Sequence, residues 1–439
     1  MFHSSHDFLA PNLSTPDEAL LGQVQHQTFR YFWEGGHPAS GLARDRQKTM
    51  GERSNDLISI GGSGFGVMAI IVAVERGWIK HSEAMGRLDA MLACLERSPR
   101  YHGMFSHFIH GVTGDTIPFA RKDDGGDLVE TSLLLQGLLC ARQYFNADAT
   151  AERVLRERID RLWLETEWDW YTKGGEEQLY WHWSPRHGWA MNRPVRGWDE
   201  SLIAYVLAAA SPTHSVSAET YHRGFAAGAS HRNGRHYHDI ELPLGMPYGG
   251  PLFIAHYSFC GLDPRGLKDR YADYWQQNVS HARIHHEHCR RNPHGHAGYG
   301  ADCWGLTASH GPDGYVAYAP DRDHGVIAPS AALASFPYTP EESMRALRYF
   351  QTKPARRIWG RYGFVDSFSE GRNWHARTYL AVNQGPTICM IENYRSRLLW
   401  NLFMSAPEVR SGLMILGFSS PHLDTISQVK PRGGGYATV

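Results

Sequence analysis

Helical periodicity recurs along nearly the whole of this 439-residue chain, and no break in composition interrupts it. A first helix opens at Thr15-Pro16-Asp17-Glu18, where a cap, a proline at N1 and two acids in the first turn coincide. It runs through Leu20, Val24, Phe29 and Phe32 to Gly35-Gly36. Apolar residues then return at three- and four-residue spacing near 62–76, 81–96, 127–145, 151–166, 199–210, 217–228, 250–260, 267–284, 327–336, 340–352, 386–403 and 406–414. Strand-like alternation is short and local, as at Gly314-Tyr315-Val316-Ala317-Tyr318. No Pro/Ser linker divides the body. A succession of helical hairpins without a domain break predicts an all-α fold, an (α/α)6 toroid, or six-hairpin barrel, with long loops forming a cleft at one end. Two stacked helical domains are the rival arrangement. On the toroid reading residues 16–420 form a single domain between polar tails at 1–15 and 421–439.

Charge and composition exclude several classes of function. Lys+Arg is 44 against Asp+Glu 45, with no basic stripe, which argues against a nucleic-acid partner. No stretch approaches the ~18–20 apolar residues of a membrane span. Met1-Phe2-His3-Ser4-Ser5-His6-Asp7 lacks the basic and apolar regions of a signal peptide. The chain as written is therefore expected in the cytoplasm, or in the periplasm or medium if a leader was trimmed. Cys94, Cys140, Cys260, Cys289, Cys303 and Cys389 show no paired metal spacing and read as buried free thiols. A monomer is expected.

Aromatic residues carry more information. Seven tryptophans (Trp163, Trp168, Trp170, Trp181, Trp183, Trp189 and Trp198) fall in one Gly- and charge-rich segment. Core use would spread them, so several are expected to line a cleft, where flat apolar rings with a polar handle suit the faces of sugars. Trp181, Trp183 and Trp304 are expected to show a ring face or edge there, with His182 as a polar contact. Core burial is the competing reading for each.

Gly61-Gly62-Ser63-Gly64-Phe65-Gly66 lacks the Gly-Lys-Ser/Thr ending of a phosphate loop and fits neither GxGxxG nor GxSxG. It reads as small residues where helices approach closely. His281 and His285 are spaced i,i+4 within the cluster His281–His296, which could put two imidazoles on one helix face. No HExxH motif accompanies them, and a metal is the minority reading.

Acids at helix starts are the sharper signal. Asp127-Leu128-Val129-Glu130 follows Gly125-Gly126 and resembles a capping box, yet with Asp123-Asp124 it concentrates four carboxyls in eight residues. Cap and function are compatible. Gly197-Trp198-Asp199-Glu200-Ser201 repeats the theme, and Asp366 stands in the aromatic stretch Tyr362-Gly363-Phe364-Val365-Asp366-Ser367-Phe368. Two carboxyls, one protonated and one ionised, suffice to cleave a glycosidic bond without a cofactor or metal. Indoles near Glu200 favour it as the acid and the more polar loop of Asp366 favours it as the base. Asp127 and Glu130 would hold sugar hydroxyls. Spacing along the chain leaves an exchange of these roles open.

The C-terminal half resembles the glycoamylase-like family in Trp304-Gly305-Leu306-Thr307-Ala308-Ser309, Gly311-Pro312, Gly314-Tyr315 and Gly325-Val326-Ile327-Ala328-Pro329. The 362–368 stretch, Asn383-Gln384-Gly385-Pro386 and Met390-Ile391-Glu392-Asn393 extend the likeness, as do Asp127 to Thr131 and Asp199-Glu200 through Ser211-Pro212-Thr213-His214. The resemblance covers about residues 17–418 and implies an (α/α)6 toroid of glycoside hydrolase family 144, whose known members act on β-1,2-glucans. It implies a glucan or oligosaccharide substrate, places Asp127, Glu130 and Glu200 on important acidic positions with Asp366 as a further one, and adds Tyr315 and Glu392 as substrate-binding candidates. Transglycosylase or phosphorylase chemistry on the same fold, or carbohydrate binding without catalysis, are the alternatives.

Overall fold

Burial sorts the helices into two kinds that alternate along the chain. The structure, a computed structural model, describes residues 15–50, 56–352 and 355–424. The helices are α1 (Asp17–Trp33), α2 (Ile60–Glu75), α3 (His81–Arg97), α4 (Leu128–Tyr144), α5 (Thr150–Leu164), α6 (Leu202–Ala210), α7 (Tyr274–Arg291), α8 (Pro329–Ala334), α9 (Pro340–Phe350), α10 (Ala355–Ile358), α11 (Ala381–Arg395), α12 (Leu398–Ser405), α13 (Pro407–Ile415) and α14 (Pro421–Asp424). In α2 every residue from Ile60 to Ala73 is buried, in α4 every residue from Leu128 to Arg142, and in α6 all of Leu202–Ala210. A helix apolar on all sides belongs in the interior. By contrast α1, α3, α5, α7 and α9 each keep a polar, solvent-facing side. The buried helices touch one another: α2 lies against α4 and α11, α4 against α6, and α8 against α11. Between α6 and α7 the same alternation continues in tighter form, with a π-helical turn at Thr220–Phe225 and buried 3-10 turns at Leu252–Ala255 and Ser258–Cys260.

The glycine run serves the closest of these approaches. A Cβ on Gly64 would lie 2.1 Å from the Leu133 carbonyl oxygen, and one on Gly137 would lie 2.2 Å from that of Gly64. The packing reading of Gly61–Gly66 therefore holds.

The fold is mostly helical, as expected, with its strands short and paired. Among the described residues seven small sheets occupy the connections. Long connections packed on a core must satisfy their own backbone groups, and short antiparallel pairs do so. Three of them feed directly into buried helices. Leu57–Ser59, paired with Phe108–His110, runs into α2; Gly126–Asp127, paired with His182–Trp183, runs into α4; Thr378–Leu380, paired with Arg46–Lys48, runs into α11. The paired loops thus fix three helix N-termini.

Several helix boundaries differ from those expected. The window 267–284 is displaced to α7, where the Asp273 carboxylate accepts from Gln276 N at 3.1 Å and starts the helix. The window 386–403 begins earlier, at Ala381, and is broken at Arg397, whose φ is 64°. All six cysteines are buried and free. The expected tail 1–15 lies outside the described residues except for Thr15; of 421–439 the described part, Pro421–Asp424, is helical.

Candidate active site

Asp127 ends its strand as the N-cap of α4. Its Oδ1 accepts from Val129 N and Glu130 N, at 3.0 and 2.9 Å. Its Oδ2 accepts from Trp181 Nε1 at 3.2 Å and meets His107 Nδ1 at 3.0 Å. Four contacts saturate a fully buried carboxylate. Asp127 therefore orients its neighbours, and the expectation that it holds a sugar hydroxyl is corrected.

Half of the capping box forms. Glu130 does not reach back to the Asp127 amide, which donates instead to Phe105 O at 2.7 Å. The Glu130 side chain crosses to α2, where its Oε2 accepts from Gly61 N at 2.7 Å. A Cβ on Gly61 would stand 2.8 Å from that oxygen, so glycine is what lets the carboxylate dock on the helix N-terminus. Glu130 Oε1 faces His107 Nε2 at 3.9 Å, and the side chain retains 11% exposure. Burial raises its pKa, against the pull of His107 and the Gly61 amide.

Glu200 lies just before α6, where Ser258 Oγ donates to its carbonyl at 2.5 Å and accepts from Ile203 N at 3.1 Å. Asp199 Oδ1 accepts from Ser201 N at 2.9 Å. Among the described residues no side chain hydrogen-bonds the Glu200 carboxyl. Burial first, and the Asp199 charge second, push its pKa up to about 8; Asp199, raised by burial, stands at about 6. Glu130 also raises Glu200, and both acids act on the Tyr257 hydroxyl together with Tyr315. Tyr315 in turn senses Asp366, Asp45 and Glu130. A chain of neighbouring electrostatic contacts thus links Glu200 through Glu130, Tyr257 and Tyr315 to Asp366.

Asp366 is sealed. Its Oδ2 accepts from the His310 backbone N at 2.7 Å and meets His310 Nδ1 at 2.8 Å, while Oδ1 accepts from Asn383 Nδ2 at 2.7 Å. The side chain has no exposed surface, so it cannot act on a water as the base that the sequence suggested. It ties the hairpin Ala308–Gly311/Gly314–Ala317 to α11 and aims His310 beside Tyr315, which is 54% exposed.

The aromatic segment contributes two half-buried rings here. Arg193 lies 4.1 Å over the Trp181 ring, and Trp183 meets Trp170 and His102 edge-on at 5.8 and 4.9 Å. Trp163, Trp168 and Trp198 are core.

Residues 192–407 match the family model Glycoamylase, described as "Putative glucoamylase". A solved endo-β-1,2-glucanase from Chitinophaga pinensis, in complex with sophorotriose and glucose, is 49% identical; the match covers 93% of this chain and 100% of that one, with a TM-score of 0.91. The chain belongs to the Glycoamylase family. A curated relative from Parabacteroides distasonis, named exo β-1,2-glucooligosaccharide sophorohydrolase (non-reducing end), is 46% identical over 418 residues. That match takes in 90% of this chain, which spans 57% of the relative's length.

Within this Glycoamylase-family chain three further candidates are buried away from any substrate. Trp304 is fully buried, its Nε1 donating to Glu342 O at 3.2 Å. Glu392 is a buried ion pair in the last turns of α11, accepting from Arg76 Nε and Nη2 at 2.9 and 2.8 Å. His182 is buried, with Nε2 accepting from Gly125 N at 3.0 Å. His281 and His285 both turn a ring nitrogen to the Gly250 carbonyl, at 2.9 and 2.8 Å, and no three metal-binding side chains converge among the described residues. Conversely, sequence reasoning passed over His107, Tyr257 and His310. His310 lies between two of the motifs, Ser309 and Gly311-Pro312, and its own position was legible; His107 has no motif near it.

Proposed function

We propose that this chain is a glycoside hydrolase that cleaves β-1,2-linked glucan or sophoro-oligosaccharides with inversion. The observation that carries the reading is a partly exposed Glu200 whose pKa lies near 8, within reach of Glu130, whose Oε1 is left facing the site. The likeness to the Chitinophaga pinensis enzyme, over all of that chain, supports the choice of substrate. Glu200 gives its proton to the leaving glycosidic oxygen as the C1–O bond breaks. A water attacks C1 from the opposite face and passes its proton to Glu130, which takes the base role first assigned to Asp366. Two such carboxyls work at separations of ~6.5–9.5 Å around the sugar. The exposed Tyr315 and the half-buried Trp181 and Trp183 are the rings offered to the sugar faces.

The same reading extends to architecture and assembly. Outer and inner helices in alternation, with α11 returning to α2, support an (α/α)6 toroid, and we propose that it works as a monomer in the cytoplasm, or outside it if a leader is removed. Incubation with β-1,2-glucan, with and without phosphate, followed by product sizing and anomer analysis, tests the proposal. Release of sophoro-oligosaccharides in water with inverted configuration is expected. Turnover that requires phosphate, or binding without turnover, would sink it.

A further inference from the structure

The His107 imidazole lies between two carboxylates that approach opposite nitrogens, Asp127 Oδ2 at 3.0 Å from Nδ1 and Glu130 Oε1 at 3.9 Å from Nε2. A neutral imidazole has one N–H and one lone pair, so one carboxylate would always face a lone pair. The doubly protonated ring alone presents N–H to both. Phe108 and Phe119 pack against the ring at 4.5 Å each and fix its plane, leaving the side chain 23% exposed. Burial would discharge the ring, but Glu130, Asp127 and Asp123 outweigh it and take the pKa up to about 9. Around the carboxyls themselves, Asp45 faces Glu130, and Asp199 and Arg193 face Glu200.

We propose that His107 is a positioning residue for the reaction: bridging Asp127 and Glu130 as a cation, it keeps Glu130 ionised, so that the proton resides on Glu200. An ionised Glu130 raises Glu200, which links the bridge to the acid. The inference rests on the roles given to Glu200 and Glu130 above.

The test is the pH profile of kcat and KM on sophoro-oligosaccharides for the full chain, His107→Gln and His107→Lys. Nitrogen-15 imidazole spectra of the resting protein accompany it, with the His107 signal assigned in the wild type by through-bond correlation to its own backbone. His107→Gln is expected to lower kcat about tenfold or more and to move the acid limb up by ~1 unit or more, since an opposite charge at this range lowers a carboxyl by ~1–3 units. KM should change little, and His107→Lys should bring the limb back toward its original place. The wild-type ring should be doubly protonated at about pH 7.5. A folded His107→Gln with an unmoved limb, equal losses in both variants with one profile, or a singly protonated ring would overturn the proposal. If wild type releases no sugar from β-1,2-linked substrates, the functional reading fails by itself. The spectra then decide the bridge alone, as they do if neither variant folds.

Discussion

Glu200 and Asp366 show how surroundings divide two acidic side chains of one chain. Among the described residues no side chain donates to Glu200, whose pKa is pushed up to about 8; Asp366 accepts from His310 and Asn383 and is enclosed by them. The amide in Glu200→Gln keeps the shape but has no acidic proton to give. We expect kcat on unactivated β-1,2-glucan to fall by ~10²–10⁴, with binding by calorimetry within a few-fold of wild type. Near-normal turnover would remove Glu200 from the acid role. Asp366→Asn should act differently. Whichever way the amide turns, its NH2 faces a donor, the Asn383 amide or the His310 N–H groups, and a buried donor then lacks an acceptor. A loss of ~1–3 kcal/mol is expected, read as a lower denaturant midpoint, with activity falling as the His310 hairpin loosens. An Asp366→Asn protein of unchanged stability that had lost all turnover would return this carboxylate to the chemistry. Buried partners of this kind are invisible in sequence. Trp304 and Glu392 stand in motifs as conspicuous as Glu200, yet their side chains close on Glu342 and Arg76 in the interior.

At the scale of elements, the acids are where they are because α2 and α4 present their N-termini on paired loops and Ser258 fixes the start of α6. Gly137 lets α4 approach α2, since a methyl there would meet the Gly64 carbonyl at 2.2 Å. Gly137→Ala should force the two helices apart and cost ~1–3 kcal/mol or more, seen as a fall in thermal midpoint. Because Glu130 reaches across this contact to Gly61 N, the variant should also lose activity when assayed well below its midpoint. Unaltered midpoint and activity would contradict the contact. The helices themselves were legible wherever one face or all faces were apolar, as in α3, α4 and α5. They were misplaced where a single backbone position decides. Arg397 turns into the left-handed region and splits what periodicity reads as one helix, and Pro386 sits inside α11 although a proline usually marks a start. Periodicity ends this helix at residue 284, yet α7 runs on to Arg291, because His281 and His285 spend their polarity on Gly250 O and can stay buried. Most short strands were missed because two- or three-residue pairs carry no period to detect, and the longer hairpin Arg232–Tyr237/Ile240–Leu244 because its first strand is almost wholly polar.

Among the molecule's most strongly shifted groups, two opposed sets bear on how its stability depends on pH. His231, His256 and His281 are pushed down by burial to about 4, 3 and 4, and His285 well below its usual 6.5. Below about 6.5 the unfolded chain binds protons at these sites that the folded chain refuses, so stability falls as pH falls. Asp199 and Glu200 work the other way, since their folded pKa values of about 6 and 8 exceed 3.8 and 4.5. The folded state holds their protons more tightly, and that advantage is lost as pH rises through 6 and 8 respectively. His107, at about 9 against 6.5, adds a loss between those values. Below 6.5 four histidines oppose two acids and the slope is upward; above it Glu200 and His107 act alone among these groups and the slope is downward. The thermal midpoint should therefore peak near pH 6.5 and decline toward pH 9. Glu200→Gln removes one of the two alkaline contributions, so its decline between pH 6.5 and 8 should be shallower, by an amount on the order of a few degrees given partial solvent screening. Calorimetric scans of both proteins across pH 5–9 check this. Parallel curves for wild type and Glu200→Gln would mean that Glu200 is ionised in the folded state at neutral pH, and the proton that the proposed cleavage requires would have to come from another group.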